Sequence, residues 1–322
     1  MMITENNTET LQQSNVDLSL TNRAMLVSVT LSVWGGYKSD KRKSAEFAQS
    51  EGADPAMIRI SKSLVDSPEL EAIKKFDTKL RLLVEAYTLP WSKTGRLLSV
   101  DHFEKFMEII RDRKVKRTEL VNNFLEAYNQ RVQEAGQEGK LGDKGLWKAE
   151  DYPTLEAMAK KFGFHVDISP IPVAGDLRVD MNNDLVNSIK NDLDIKYSDR
   201  AKSATKEVYS RLKDLVSHLL TSLEKYEVLS SPEEVETKTG RIVQKKVKNS
   251  FHESTITNIA DFVNDMLPAF NVTNDPELTK LGKQIVSDLC LYNSKDLKVS
   301  TVVREDVISR ASEILEKMKD YI

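Results

Sequence analysis

The chain is short of cysteine: its 322 residues contain one, Cys290. One thiol cannot close an intrachain disulfide, and it excludes a zinc site built on cysteines. Cys290 stands between Ile285 and Leu291 in an apolar helical setting. The expectation is a buried small hydrophobe rather than a nucleophile. Cysteine scarcity points to a reducing compartment, so a cytoplasmic protein is expected. Twelve glycines and nine prolines are few for this length, which disfavours collagen-like, propeller and loop-rich all-β folds. Aromatic residues make up 7%. No run approaches the ~20 consecutive apolar residues of a membrane span. Met1 to Ser14 is polar, with no basic stretch before an apolar core, so residues 1–20 are expected to form a disordered arm rather than a secretory signal. Neither sign of charge dominates: 47 Lys and Arg against 50 Asp and Glu leave a formal net charge of -3. That balance excludes a generally basic, histone-like nucleic-acid binder.

What is present is charge and helical periodicity. Hydrophobic residues make up 40% and charged residues 30%, the composition of a helical protein with a wet surface. The N-terminal part also carries strand signals. From Leu26, the residues Val27, Val29, Leu31 and Val33 recur at every second position against Ser28, Thr30 and Ser32. That alternation predicts a half-buried strand, ended by Gly35-Gly36. A short helix is expected over Lys41–Ser50. Ser67-Pro68-Glu69 predicts a helix start with Ser67 as N-cap. Leu70, Ile73, Phe76, Leu80, Leu83, Val84 and Tyr87 follow at helical spacing, up to the stop at Leu89-Pro90-Trp91. Gly95 to Val100 reads as a connector. Asp101 with Glu104 has the pattern of a capping box. The stripe Phe103, Phe106, Met107, Ile110, Leu120, Phe124, Tyr128 and Val132 lapses between Arg111 and Arg117. A break or hinge is expected there, with Thr118 able to cap a second helix. Gly136, Gly139, Gly142 and Gly145 predict a flexible loop. Pro153 to Phe162 reads as a short helix, and Phe164 to Pro170 as a strand expected to pair with the first.

From Asn182 the pattern is helical for about 45 residues without Gly or Pro, a rod of roughly 65–70 Å. Val208, Leu212, Leu215, Leu219, Leu223 and Tyr226 form a row with the spacing of a short coiled-coil seam. Two readings stay open: a seam for an oligomer or protein partner, or an ordinary bundle helix packing on its neighbours. Ser230 to Glu234 is expected to break the helix. Val235 to Lys248 alternates around Thr239-Gly240, as a hairpin or loop would. Helical stripes then resume, with Asp275-Pro276-Glu277 as one start. The expected fold is mainly α with a small antiparallel β element (α+β), a long amphipathic helix in the middle and a helical C-terminal part. The expected division is 1–20 arm, 21–180 N-terminal α+β part, 181–229 long helix, and 230–322 basic loop or hairpin with C-terminal helices.

Motifs for chemistry are sparse. No phosphate loop and no Gly-x-Gly-x-x-Gly follows a strand. His102, His165, His218 and His252 are scattered, and none has a second ligand at metal-binding spacing. Asp176, Asp180 and Asp184 stand four apart but lack a calcium-loop pattern, so they are read as favourable charge near the start of the long helix. No nucleophile elbow occurs. No cofactor and no metal is expected. An enzyme whose site is assembled from dispersed carboxylates is the least favoured reading.

The basic runs are the best candidate surface. Arg111, Arg113, Lys114, Lys116 and Arg117 form one cluster, with Asp112 as the lone acid. Arg241, Lys245, Lys246 and Lys248 form another. Either can contact phosphates through point charges and guanidinium forks. The plainer alternative is a solvated helix face and a mobile loop. A nucleic-acid-binding accessory protein acting through these clusters is therefore one functional expectation.

At the first strand the sequence reads Val29-Thr30-Leu31-Ser32-Val33-Trp34-Gly35-Gly36-Tyr37-Lys38. A strand ending in Trp, then small residues and a basic one, resembles the opening of an uncharacterised bacterial and phage family catalogued as domain of unknown function 3150. The Leu89-Pro90 stop, Phe124-Leu125-Glu126-Ala127-Tyr128, and Phe162-Gly163-Phe164-His165-Val166 before Pro170 fit its plan. The resemblance covers roughly residues 24 to 230. It implies a non-enzymatic interaction protein of phage or mobile-element origin, working in the host cytoplasm. The implied partner is a protein, an AAA+ ATPase of the MoxR or chelatase type served by an adaptor. The resemblance carries over no catalytic residues.

Overall fold

The computed structural model describes residues 20–142, 145–172, 183–236 and 242–322. The expected arm lies outside these residues up to residue 19, as do Asp176, Asp180, Lys238 and Arg241. The protein is 65% helical and 13% strand, mainly α with small antiparallel sheets. In chain order the first elements are β1 (Ala24–Leu31), β2 (Tyr37–Ser39), α1 (Lys41–Ser50), β3 (Ser61–Ser63) and α2 (Pro68–Tyr87). Then come β4 (Leu89–Pro90), β5 (Arg96–Ser99), α3 (Val100–Ala135), α4 (Leu155–Ala159) and β6 (Phe164–Pro170). The long helix α5 (Asn183–Glu224) precedes the hairpin β7 (Glu227–Glu236) and β8 (Ile242–Lys248). The C-terminal helices are α6 (Ser254–Asp261), α7 (Leu267–Phe270), α8 (Pro276–Leu289), α9 (Ser294–Val299) and α10 (Thr301–Met318).

The chain divides into two compact units that interleave along the sequence. The second unit comprises Ser28–Ala86 and Glu104–Asp167; the first contains Tyr87–Phe103, Ile168–Ile322 and the chain up to Val27. Strand order in the larger sheet is β4-β5-β1-β6, so the strand at 164–170 does neighbour the first strand. The sheet is larger than a two-strand pairing because the expected connector at Gly95 to Val100 contains β5. Ala24 to Val27 pair antiparallel with Ser99 to Arg96. The alternation of Leu97 and Leu98 is masked in sequence, since both are buried.

In the first unit, α5 is the spine. Ala201, Ala204, Val208, Leu212, Val216, Leu219 and Leu223 are all buried. They recur about every 3.7 residues, the period of a straight helix rather than the 3.5 of a heptad seam. Leu215 only flanks this stripe; Val216 occupies the centre. The helix ends at Glu224, and Tyr226 lies beyond it. The helix packs on α10 and α6 of its own chain. Tyr209 stacks on Tyr321 with ring centroids 4.7 Å apart and donates to Asp275 Oδ2 at 3.0 Å. Each fully buried leucine contributes roughly 1.5–3 kcal/mol. The row read as an oligomer or partner seam is thus filled by the chain's own helices.

In the second unit, Trp34, Leu70, Ile73, Phe124, Tyr128 and Met158 form the core. Ser67 Oγ accepts from Leu70 N at 3.2 Å, so the expected cap opens α2. The expected break in α3 is absent: the helix runs unbroken from Val100 to Ala135. Ser99 Oγ, not Asp101, accepts at its start, from Asp101 N at 3.3 Å. Thr118 caps nothing and donates back to Lys114 O at 2.9 Å.

Candidate nucleic-acid interface

The reason α3 stays helical through its basic run is Arg117. Its guanidinium is 3% exposed and meets Asp77 of α2, 1% exposed. Nε donates to Oδ1 at 2.7 Å and Nη2 to Oδ2 at 2.9 Å. Nη2 also donates to Ser32 O at 2.8 Å. The polar residue that interrupts the apolar stripe is therefore a buried, fully paired contact between two helices. Arg117 has no surface for a phosphate and leaves the candidate interface.

The rest of that run faces outward. Arg111, Lys114 and Lys116 are exposed, and Arg113 is half-buried with its guanidinium 6.0 Å from the centroid of the Phe76 ring. That contact sets one α3 cation against α2. Lys79 lies one helical turn from Phe76, and Lys75 immediately precedes it. Lys75, Lys79 and Arg81 are all exposed. Among the described residues none of Lys75, Lys79, Arg81, Arg111, Arg113, Lys114 and Lys116 has a carboxylate at ion-pair distance. Asp112 is the one acid of the Arg111 to Arg117 run, and Asp77 is consumed by Arg117. Exposed Leu82 and Val115, each about 60% exposed, add apolar surface on the same two helices. The α2 cations escaped sequence reading because they interleave with the buried stripe rather than forming a run. The spacing of Lys75 and Lys79, four residues apart, was their signal.

The second basic cluster has a different setting. Strand β8 pairs antiparallel with the acidic strand β7. Lys248 stands opposite Glu227, and Lys245 opposite Glu233. Gln244 Nε2 donates to Glu234 Oε1 at 3.0 Å. Opposite charges at directly facing positions attract across a ladder, so Lys248 stands against an acid. The segment expected to break the long helix, Ser230 to Glu234, belongs to β7 instead. Arg241 and the side chains of Lys245 and Lys246 lie outside what is described.

Other charged groups have structural work. Lys38 and Lys62 face each other directly across β2 and β3, a repulsive pairing. The Asp151 carboxylate lies between them, 2.5 Å from each ammonium nitrogen. Burial pushes the Asp151 carboxyl up, and the hydrogen bonds from Lys38 and Lys62 outweigh it, leaving it below the ordinary value. Burial pushes the Cys290 thiol up to about 11, which suits a packing residue rather than a thiolate. His102 Nε2 lies 3.2 Å from Asp265 O. Among the described residues no three of His, Cys, Asp and Glu gather closely enough to hold a metal ion. Asp184 sits in the first turn of α5, where its charge favours the helix dipole. Among the described residues no helix is long and apolar enough to cross a membrane.

Comparison with family models, with curated proteins and with solved structures finds no match. The resemblance to the family of unknown function therefore rests on the residues quoted for it. The class that fold and site define is a mainly helical α+β protein with exposed cations on α2 and α3 that lack a carboxylate at ion-pair distance among the described residues.

Proposed function

We propose that this protein is a nucleic-acid-binding accessory protein whose contacts come from the cations of α2 and α3 in the second unit. The observation that supports the reading is a set of cations, Lys75, Lys79, Arg81, Arg111, Arg113, Lys114 and Lys116, with no counter-charge at ion-pair distance among the described residues. Such a set attracts a phosphate backbone and gains by releasing its counterions. The net charge of -3 makes the attraction local rather than general to the chain. Side chains that only position a backbone carry no sequence information, so binding is non-specific in sequence.

The test is fluorescence anisotropy with labelled DNA and RNA at two salt concentrations. Affinity is expected to fall steeply with salt, with a slope of about 0.9 per duplex phosphate contact or about 0.7 per single-strand contact. Lys114→Glu with Lys116→Glu is expected to abolish binding. No binding at low salt would remove the reading. An adaptor role beside an AAA+ ATPase is implied by the resemblance alone, and retention of such an ATPase with the purified protein is the check on it.

A further inference from the structure

The first unit holds a cleft of about 570 Å³ that none of the α2 and α3 cations line. One wall is the segment around Val263 and Leu267, where a π turn at Phe262–Met266 interrupts regular helix. Such turns recur at functional sites because they displace side chains from the helical register. The other wall is α8. Gly282 lets the walls approach: a Cβ there would collide with Leu267 and meet Val263 Cγ1 at 3.2 Å. The residue after it, Lys283, is exposed and lines the cleft. Arg23, immediately before β1, lines it as well.

The lining includes no Asp or Glu. Among the described residues neither Arg23 nor Lys283 has a carboxylate at ion-pair distance. Arg23 Nη1 instead donates to the side-chain amide oxygen of Asn274. A neutral acceptor steadies the guanidinium without neutralising it, and the planar fork has further N–H groups to offer. The Asn264 amide adds a polar group to the lining, while the Ser287 hydroxyl donates within its own helix, 3.0 Å from Gln284 O and 3.1 Å from Asp288 Oδ1; buried Val263 and Leu267 add an apolar surface. Two cations on a concave surface focus a field that draws in an anion.

We infer that this cleft binds a small organic phosphate, a phosphate monoester with an apolar body. A monoester carries about -1.5 to -2 charge at pH 7, which matches two cations; one carboxylate matches one. The guanidinium fork suits phosphate oxygens, and the lysine acts as a point charge. The apolar body lies against Val263 and Leu267. The volume falls in the roughly 300–1,000 Å³ range of small-molecule sites. The inference is independent of the nucleic-acid reading, which concerns the other unit.

Isothermal titration calorimetry of the full chain with phenyl phosphate, inorganic phosphate and benzoate tests it. Phenyl phosphate is expected to bind saturably and at least about tenfold more tightly than either other probe, a step of about 1.4 kcal/mol. Arg23→Gln and Lys283→Gln are each expected to weaken it by about tenfold or more, as loss of a charge-assisted hydrogen bond does. Lys280→Gln, on the same helix but outside the cleft lining, is expected to leave affinity unchanged. Lys283 is exposed, so its variant keeps the fold, which circular dichroism verifies. Absence of saturable phenyl phosphate binding at millimolar concentration would overturn the inference. So would unchanged affinity in Lys283→Gln. Equal affinity for inorganic phosphate would overturn the apolar half of it.

Discussion

Arg117 and Asp77 meet side-on inside the second unit, two parallel N–H to oxygen contacts of 2.7 and 2.9 Å between residues forty positions apart. The same guanidinium holds Ser32 O at 2.8 Å. One side chain thus ties α3 to α2 and to the chain following β1. Removing one partner strands a buried charge, which costs about 3–5 kcal/mol. Asp77→Asn is expected to lower stability to urea by that amount. Asp77→Leu with Arg117→Met replaces both charges with apolar groups, and its loss is expected to be smaller than that of Asp77→Asn. Equilibrium urea unfolding of both variants measures the difference.

The two basic clusters differ in what faces them, and binding should follow that difference. Lys114→Glu with Lys116→Glu removes cations that have no carboxylate partner among the described residues. Lys248→Glu removes one that stands opposite Glu227. The first variant is expected to abolish DNA binding with no fall in melting temperature. The second is expected to leave the salt slope of binding unchanged. Anisotropy titrations at two salt concentrations, with thermal melts alongside, separate them.

Acid should act through Glu69. The Arg131 guanidinium beside it holds this carboxyl at about 2, against an ordinary value of 4.5. Arg131 reaches it at 2.6 Å and also pairs with Glu134 at 2.9 Å. A carboxyl whose folded value is depressed adds stability that is complete above its ordinary value and lost as pH falls through the folded one. Stability is therefore expected to drop between pH about 4.5 and about 2. Glu69→Gln is expected to be less stable at neutral pH and to show a shallower acid limb. Thermal melts across that window check both.

Much of this architecture is written in local patterns. Alternation placed β1, Ser67-Pro68 placed the start of α2, and Asp275-Pro276 the start of α8, where Asp275 Oδ1 accepts from Glu277 N at 2.9 Å. Misreadings came where a residue's role is set by a distant partner. Arg117 looks like a surface cation in a polar run because Asp77 lies forty residues away. That polarity alone predicts a break in α3, and the buried pair removes the reason for one. Gly95 to Val100 predicts a connector because the adjacent Leu97 and Leu98 of β5 are both buried, which erases a strand's alternation. The interleaving of the units has no local signature, since it depends on which segments return to which core. At the candidate interface the α3 cations are legible as a run, whereas the Arg113–Phe76 contact between α3 and α2 has no local signature.

The row on α5 gives the sharpest test of packing within one chain. Leu219 is fully buried in the core that α5 shares with the C-terminal helices. Truncation to Ala leaves a cavity and is expected to cost about 2–5 kcal/mol. A seam between two chains would make that loss depend on protein concentration, because dissociation by mass action would precede unfolding. Packing inside one chain makes it independent of concentration. Urea unfolding of Leu219→Ala over a hundredfold range of protein concentration should therefore give one midpoint, lower than that of the unmodified protein. A midpoint that rises with concentration would return this row to a role between chains.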